Sequence, residues 1–374
     1  PHSGWNRLIK TVNPSFSRSY AQAREQFLAA AKDAGLSVES HVHPLKGRDG
    51  EELAMDVARD GPDDAAMVLL VTSACHGVEG FCGSGVQVHA LRDQAWRDAA
   101  HAAGVAVVHV HALNPYGFSF IRRVTHENVD INRNFQDFSK PLLVNQAYRS
   151  VHPLLIPEVW PPDSANQRAV ADYIAKHGLS GFQAAVSGGQ HEFPDGLFFG
   201  GQSPTWSNLT LRSVLRQHGR RCAKFAWLDL HTGLGPSGVG ERIYAGANDE
   251  QAVARSRQWW GEGVTSIYDG TSTSAPLTGL MWTSVLDECP QAEYTGIALE
   301  YGTQPIDQVL YALRGDHWLQ RNPQASPELA KSIKQTMLDA FYVDTDEWRA
   351  QIIEQAMQAL HQAIWGLSGA PRPR

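Results

Sequence analysis

Four separated pieces of this 374-residue chain carry residue types that could together catalyse a hydrolysis. They are His76-Gly77-Val78-Glu79, Asn128-Val129-Asp130-Ile131-Asn132-Arg133-Asn134, Asp229-Leu230-His231 and Leu299-Glu300. Two imidazoles and a carboxylate form the ligand set of a catalytic zinc with an open fourth position. A further glutamate could take a proton from the attacking water, and an Asn-Arg pair could bind an anionic substrate. The pieces together predict one metal site.

His76 and Glu79 stand three residues apart, directly after an apolar run that is typical of a buried strand. On a tight turn or a first helical turn, this spacing can bring both side chains to one cation. A lone His-x-x-Glu pattern is weak, because it arises by chance in many proteins. The glycines that follow, Gly80, Gly83 and Gly85, favour a site because they let backbone and substrate approach closely.

His231 follows Asp229 by two residues, so the two side chains would share one face of a strand. Taken alone, a buried aspartate and a hydrogen-bonded histidine explain this pair without any chemistry. The loop predicted at Thr232–Pro236 favours a functional interpretation, because catalytic groups are often mounted beside loops.

Glu300 closes an apolar strand, Thr295–Leu299. A glutamate at this position is costly unless it is hydrogen-bonded or functional. Desolvation there could raise its pKa toward the range that suits a general base. The alternative is a glutamate that caps a following helix.

The elements that must position these residues alternate between strand and helix. Apolar runs predict buried strands at 67–71, 105–110, 225–230 and 297–299. Helical spacing predicts helices near 20–31, 86–96, 165–177, 209–218 and 348–364. This alternation predicts an α/β fold, a three-layer α/β/α sandwich around a mostly parallel, mixed β-sheet. The candidate residues would then lie at the C-terminal ends of strands, where ligands bind in open α/β sheets.

The chain is predicted to form a single catalytic domain over residues 1–370, with inserted loops at about 140–215 and a loose tail at 371–374. A hydrophobic fraction of 43% supports a large core. The net charge of −7 argues against nucleic acid as a partner. No apolar run is long enough for a membrane span. Four scattered cysteines predict reduced thiols and a cytoplasmic location.

The four pieces, in this order, resemble the zinc carboxypeptidase superfamily, which includes the carboxypeptidase A-like peptidases and the aspartoacylase/succinylglutamate desuccinylase branch. The shared signature runs from His-x-x-Glu through Asn-Pro-x-Gly-Phe and Val-Asp-x-Asn-Arg-Asn to a later His and Glu. It covers about residues 65–305, and its central motifs match at Asn114–Phe118 and Val129–Asn134. The sequences Asp-Leu-His-Thr-Gly and Leu-Glu-Tyr-Gly-Thr look most similar to those of a poorly characterised bacterial branch.

The resemblance implies a carboxypeptidase-like fold and one Zn²⁺ per chain, with His76, Glu79 and His231 as its ligands. Asp130 would orient the imidazole of His76, as metal-bound histidines usually require. Glu300 would be the general base.

The same resemblance implies that Asn132 and Arg133 bind the terminal carboxylate of the substrate. An upstream arginine would polarise the scissile carbonyl. Arg123 is favoured over Arg122 for this role, although the register of the segment does not choose between them.

Two further residues are weaker candidates. The resemblance implies a mobile catalytic tyrosine, for which Tyr268 is the best candidate and Tyr244 the runner-up. The polar segment Gly189–Gly196 is either a loop that reaches into the site or a structural turn, and His191 within it is a candidate substrate-binding residue.

The sequence therefore predicts a zinc-dependent hydrolase that cleaves an amide bond adjacent to a free carboxylate, of the metallocarboxypeptidase type. Its substrate would be a small peptide or a peptide conjugate. An N-acyl amino acid deacylase of the aspartoacylase type is the alternative within the same chemistry. A non-catalytic ligand-binding homologue is the alternative from another class, and the oligomeric state stays open.

Overall fold

A seven-stranded mixed β-sheet forms the centre of the computed structural model, which describes residues 2–274 and 277–369. The strands are β1 Val38–Lys46, β2 Glu52–Asp60, β3 Met67–Thr72, β4 Val105–His111, β5 Lys224–Ser237, β6 Gly240–Tyr244 and β7 Glu293–Gly302. Their order across the sheet is β1-β2-β4-β3-β5-β7-β6. The inner strands β4, β3, β5 and β7 are parallel, whereas β1, β2 and β6 run antiparallel to their neighbours. The predicted mostly parallel, mixed sheet is confirmed.

Helices cover both faces of this sheet. They are α1 His2–Val12, α2 Tyr20–Asp33, α3 Gly80–Arg92, α4 Gln94–Ala102, α5 Pro115–Ser119, α6 Gln146–Leu155, α7 Ser164–Ser187, α8 Trp206–Gly219, α9 Glu250–Trp260, α10 Thr283–Glu288, α11 Ile306–Arg321, α12 Pro327–Phe341 and α13 Asp346–Ser368. Because side chains alternate along a strand, β3 supplies two cores. Leu69 and Val71 pack in the core that contains α3 and α13, and Val68 and Leu70 pack in the core that contains α8 and α10.

The central strands β3 and β4 begin with continuous apolar runs because both of their faces are covered. Every residue of β4 is buried, and in β3 only Met67 is partly exposed. Such continuous runs are typical of parallel strands that lie between two helical layers. The strands predicted at 67–71 and 105–110 are therefore found almost to the residue.

Other elements differ from the sequence prediction. The helix predicted at 86–96 begins earlier, at Gly80, and is split into α3 and α4 at Asp93. The Asp93 side chain accepts a hydrogen bond from the backbone N–H of Trp96, at 3.0 Å, and so caps α4. Between residues 140 and 219, α7 and α8 contain the helices predicted at 165–177 and 209–218, whereas α6 was not predicted. The predicted tail at 371–374 lies outside the described residues.

The four cysteines are buried, and none of them forms a disulfide. Across residues 2–274 and 277–369, none of the helices has the length and apolar character that crossing a bilayer requires.

Candidate metal centre

A tight turn after β3 places the first two candidate ligands. His76 is extended, and a single turn of 3₁₀-helix, Gly77–Glu79, follows it at once. The backbone N–H groups of Gly77 and Val78 donate to the carbonyls of Arg123 and Arg122, at 3.0 and 2.9 Å. A Cβ atom on Gly77 would lie 2.1 Å from the backbone of Gly117, so the turn fits only with glycine at this position.

His76, Glu79 and His231 converge on one buried point. The Nδ1 atom of His76 lies 2.7 Å from Oε2 of Glu79, and Nδ1 of His231 lies 3.4 Å from Oε1 of the same carboxylate. One ligand atom from each of the three side chains lies within 4.8 Å of the other two. This is the nitrogen, nitrogen and oxygen donor set that suits zinc.

Two atoms of this cluster fit a cation in particular. His76 Nδ1 and Glu79 Oε2 are buried and lie 2.7 Å apart, and neither makes a hydrogen bond of normal geometry with a described residue. Buried polar atoms are normally hydrogen-bonded, so two donor atoms that meet at one point without a well-directed hydrogen bond favour a bound ion. Although burial raises the pKa of Glu79, the two histidines hold that pKa well below its usual range, so Glu79 is anionic.

A chain of hydrogen bonds along β3 and β5 orients His231. Its Nε2 atom bonds to Asp229. The other oxygen of Asp229 accepts from the Thr72 hydroxyl at 2.6 Å, and Thr72 accepts from the indole N–H of Trp227 at 2.8 Å. The Nδ1 atom of His231 is thereby left to face Glu79.

Asp130 contacts both His76 and Arg123. This carboxylate is fully buried and accepts hydrogen bonds from Arg123 Nε at 3.0 Å and from the backbone N–H of Asn132 at 2.9 Å. It lies 3.2 Å from Nε2 of His76. Although burial raises the pKa of Asp130, the charges of Arg123 and His76 hold it well below the usual range. Asp130 therefore stays negatively charged and lies next to the imidazole of His76.

Glu300 faces the same space from β7. It is the parallel-register partner of His231 and is 8% exposed. Burial, and then the negative charge of Glu79, raise the pKa of Glu300 to about 8. The strand continues to Gly302, so Glu300 lies within β7 and not at its end.

Arg133 is buried beside this centre, and its plane is fixed by carbonyl groups. Its Nε and Nη2 atoms donate to the backbone oxygen of Ser187, at 3.3 and 2.8 Å, and Nη1 donates to that of Asn132 at 3.0 Å. The ring of Phe198 lies against two guanidinium groups, 4.8 Å from that of Arg123 and 5.4 Å from that of Arg133. Asn132 accepts a hydrogen bond from the backbone N–H of Met281 at 2.8 Å.

A cavity of about 330 Å³ joins these groups. Its lining includes the following residues from the predicted site: His76, Arg123, Asn132, Arg133, His231 and Glu300. The structure brings them together from segments that are far apart in the sequence. Glu79 and Asp130 lie behind the histidines that they contact.

Three further predicted residues, Arg122, Tyr268 and His191, also do not line this cavity. The guanidinium group of Arg122 instead pairs with the buried Asp316, at 2.9 Å. The Tyr268 hydroxyl donates to the carbonyl of Gly246 at 2.7 Å. Tyr244, the alternative candidate for the catalytic tyrosine, does line the cavity. His191 bonds through Nδ1 to the carbonyl of Gly201, at 2.7 Å.

Sequence reasoning missed two parts of the site. Phe198 reaches the cavity from the chain that follows the Gly189–Gly196 segment, with a left-handed φ of 52°. The backbone N–H of Thr232 donates to Glu79 at 2.8 Å. The phenylalanine pair after the polar segment was a signal for the first, whereas a backbone donor leaves no signal in the sequence.

The fold of this chain is similar to that of the metallocarboxypeptidases. Carboxypeptidase A from Helicoverpa armigera superposes with a TM-score of 0.52, over 98% of this chain and 80% of that one, at 12% identity. The chain therefore has the carboxypeptidase fold.

Two other solved structures align less closely. They are bovine thrombin-activatable fibrinolysis inhibitor in complex with tick carboxypeptidase inhibitor (TM-score 0.43, 10% identity, 91% of this chain and 97% of that one) and a metallo-carboxypeptidase from Pseudomonas aeruginosa in complex with (2-guanidinoethylmercapto)succinic acid (TM-score 0.39, 16% identity, 89% and 69%).

The chain belongs to the family described as "Protein of unknown function (DUF2817)", whose family model matches residues 16–355. A search of curated proteins found no significant match.

Proposed function

We propose that this protein is a zinc-dependent hydrolase that cleaves an amide bond adjacent to a free carboxylate, in the manner of a metallocarboxypeptidase. The observation that carries the proposal is the convergence of His76, Glu79 and His231 on one buried point, where His76 Nδ1 and Glu79 Oε2 meet without a hydrogen bond of normal geometry. The substrate carries a free carboxylate beside the scissile amide, as a small peptide or a peptide conjugate does.

Zn²⁺ held by these three side chains would polarise the scissile carbonyl and make water acidic enough to attack near neutral pH. The donor set suits zinc, and three protein ligands leave the open position that a catalytic site needs.

Glu300 is the general base in this proposal. It takes a proton from the attacking water and delivers it to the nitrogen of the leaving amine. Its position beside His231 and its raised pKa support this role, since a carboxylate with a pKa near neutrality can both accept and return a proton.

Arg123 stabilises the negative charge that develops on the carbonyl oxygen. Its guanidinium lines the cavity and is held from behind by Asp130, at 3.0 Å. Arg122 is already paired with Asp316 away from the cavity, which favours Arg123 for this role.

Arg133 and Asn132 bind the free carboxylate of the substrate. A guanidinium has five N–H groups, and three of those of Arg133 donate to the backbone carbonyls of Ser187 and Asn132. Two N–H groups remain for an anion, on a group whose orientation is already fixed.

The direct test is the Glu300→Gln variant, with Glu241→Gln as its control. Glu241 is the antiparallel-register partner of Glu300 on β6. We expect Glu300→Gln to lower kcat by about 100-fold or more, with zinc content unchanged, and Glu241→Gln to keep near-normal turnover. Near-normal turnover in Glu300→Gln would remove this residue from the role of base.

An N-acyl amino acid deacylase is the second candidate, because it requires the same atoms and differs only in the acyl group. The apolar character of one part of the cavity favours it. A ligand-binding homologue without catalysis would bind zinc and substrate and release no product from any amide.

A further inference from the structure

The residues that line the cavity around the His231–Glu300 pair come from strands and from helices. Trp227 and Ala298 precede these two residues on β5 and β7, and Ile243 pairs with Ala298 from β6. All three line the cavity and belong to the sheet. The helices α7 and α11 supply most of the other apolar lining residues.

We call the part of the cavity that is lined by α7 and α11 the helical compartment. Its apolar lining residues are Val170, Ile174, Leu179, Phe182 and Val186 on α7, and Ile306, Val309, Leu310, Tyr311 and Leu313 on α11. Leu179 and Tyr311 are 53% and 38% exposed, so the compartment opens to solvent beside them. The other apolar members are buried or half-buried.

Polar side chains also line this wall, but most of them are not available to a ligand inside it. Arg314 donates to the carbonyls of Leu155 and Leu154 and to the Asn166 side chain, at 2.8, 3.2 and 2.8 Å. The Ser187 hydroxyl donates to the carbonyl of Gln183 at 2.7 Å. Asp307 is exposed, and the side chain of Gln183 is the remaining polar group.

This wall suits a hydrocarbon better than a peptide. The backbone groups within a helix bond to each other, so α7 and α11 offer few partners to an extended peptide away from the kink at Gly178 and the first turn of α11. A peptide N–H or C=O that loses water here without a new partner weakens binding, whereas a methylene group that leaves water strengthens it.

We propose that the helical compartment binds the aliphatic chain of an N-acyl group, so that the substrate is an N-acyl amino acid with a medium-length or long acyl chain. Hydrolysis breaks the C–N bond, adds the oxygen of water to the acyl carbon and leaves a fatty acid and a free amino acid. This inference rests on the proposed function, because it takes the His231–Glu300 pair as the reacting centre.

The test measures binding separately from hydrolysis. N-acetyl-, N-butanoyl-, N-hexanoyl- and N-octanoyl-leucine are titrated into the metal-stripped protein by isothermal titration calorimetry. We expect Kd to fall about threefold per added methylene and to level off once the chain reaches the open end at Leu179 and Tyr311. Equal Kd values across the series, or tighter binding of a blocked leucine tripeptide of matched length, would overturn the proposal.

Two variants locate the effect. Ile174→Gln and Leu310→Gln place an amide in the helical compartment at half-buried positions that the fold should tolerate. We expect each to reduce the octanoyl-to-acetyl preference at least tenfold. Leu209→Gln alters an exposed leucine on α8 that does not line the cavity and should keep the preference. An unchanged preference in both compartment variants would overturn the assignment.

Failure of this inference and failure of the proposed function are distinguishable. Chain-length-dependent binding without hydrolysis by the zinc-loaded protein would contradict the proposed function and leave the acyl compartment in place. Zinc-dependent hydrolysis that is equally efficient for every acyl chain length would support the proposed function and contradict the acyl compartment.

Discussion

Replacing Asp130 by Asn should weaken zinc binding by a defined amount. Asp130 lies 3.2 Å from Nε2 of His76 and accepts from Arg123 at 3.0 Å, so it orients the imidazole and supplies negative charge behind it. Loss of such a partner typically lowers metal affinity about 10- to 100-fold, or roughly 1.4–2.8 kcal/mol. Asn keeps the shape and one acceptor oxygen but loses the charge.

Asp316 offers a matched control. It is also buried and bonded to an arginine, Arg122, at 2.9 Å, and it accepts from Lys334 at 2.7 Å, but it does not line the cavity. Breaking either buried pair should cost about 3–5 kcal/mol of stability. Asp130→Asn and Asp316→Asn should therefore lose similar stability, while only the first loses zinc affinity.

The assay combines competition with a chromophoric zinc chelator and urea denaturation of the metal-stripped variants. Unchanged zinc affinity in Asp130→Asn would refute this reasoning about the site. An equal loss of affinity in Asp316→Asn would show that general destabilisation, and not orientation of His76, causes the effect.

Two predictions concern stability and the turn. Burial lowers the pKa of His109 to about 4, so between about pH 6.5 and 4 the unfolded chain binds the extra proton and stability falls as pH falls. This histidine should account for about 3 kcal/mol of that loss at pH 4, and urea denaturation at several pH values should show a shallower pH dependence in His109→Leu; an unchanged slope would contradict it. Gly77→Ala should abolish zinc binding or folding, because its Cβ would lie 2.1 Å from the backbone of Gly117. Gly263→Ala, with no atom within 4 Å, should leave zinc content and the circular dichroism spectrum unchanged, and a Gly77→Ala protein that binds zinc normally would contradict the account of the turn.

The central strands could be predicted from the sequence because they are buried on both faces. β3 and β4 begin with runs of apolar residues, and only Thr72, His109 and His111 are polar in the two strands. β2 was missed for a physical reason, since it carries Asp56 in its centre. That carboxylate is fully buried and is compensated by Arg24 of α2, at 2.9 Å, which only the folded chain brings near.

The candidate site was predictable where short motifs fix local geometry. The spacing of His76 and Glu79 is set by one turn, and that of Asp229 and His231 by strand periodicity. The position of Tyr268 could not be predicted from the sequence in the same way, because it depends on the conformation of a loop.

The helical wall of the cavity was predictable only in part. Apolar periodicity indicated the first half of α7, but Gly178, with a φ of 78°, kinks the helix and hides its continuation to Ser187. The continuation carries Phe182 and Val186 to the cavity. Sequence periodicity alone gives neither this kink nor the proximity of α11.

The most direct test of the central claim is the release of free amino acid from a panel of blocked dipeptides and N-acyl amino acids, with and without a zinc chelator. We expect release that the chelator abolishes and added Zn²⁺ restores, from substrates with a free carboxylate and not from their methyl esters. Absence of release from every compound, in a preparation shown to contain one zinc per chain, would contradict the proposed hydrolase.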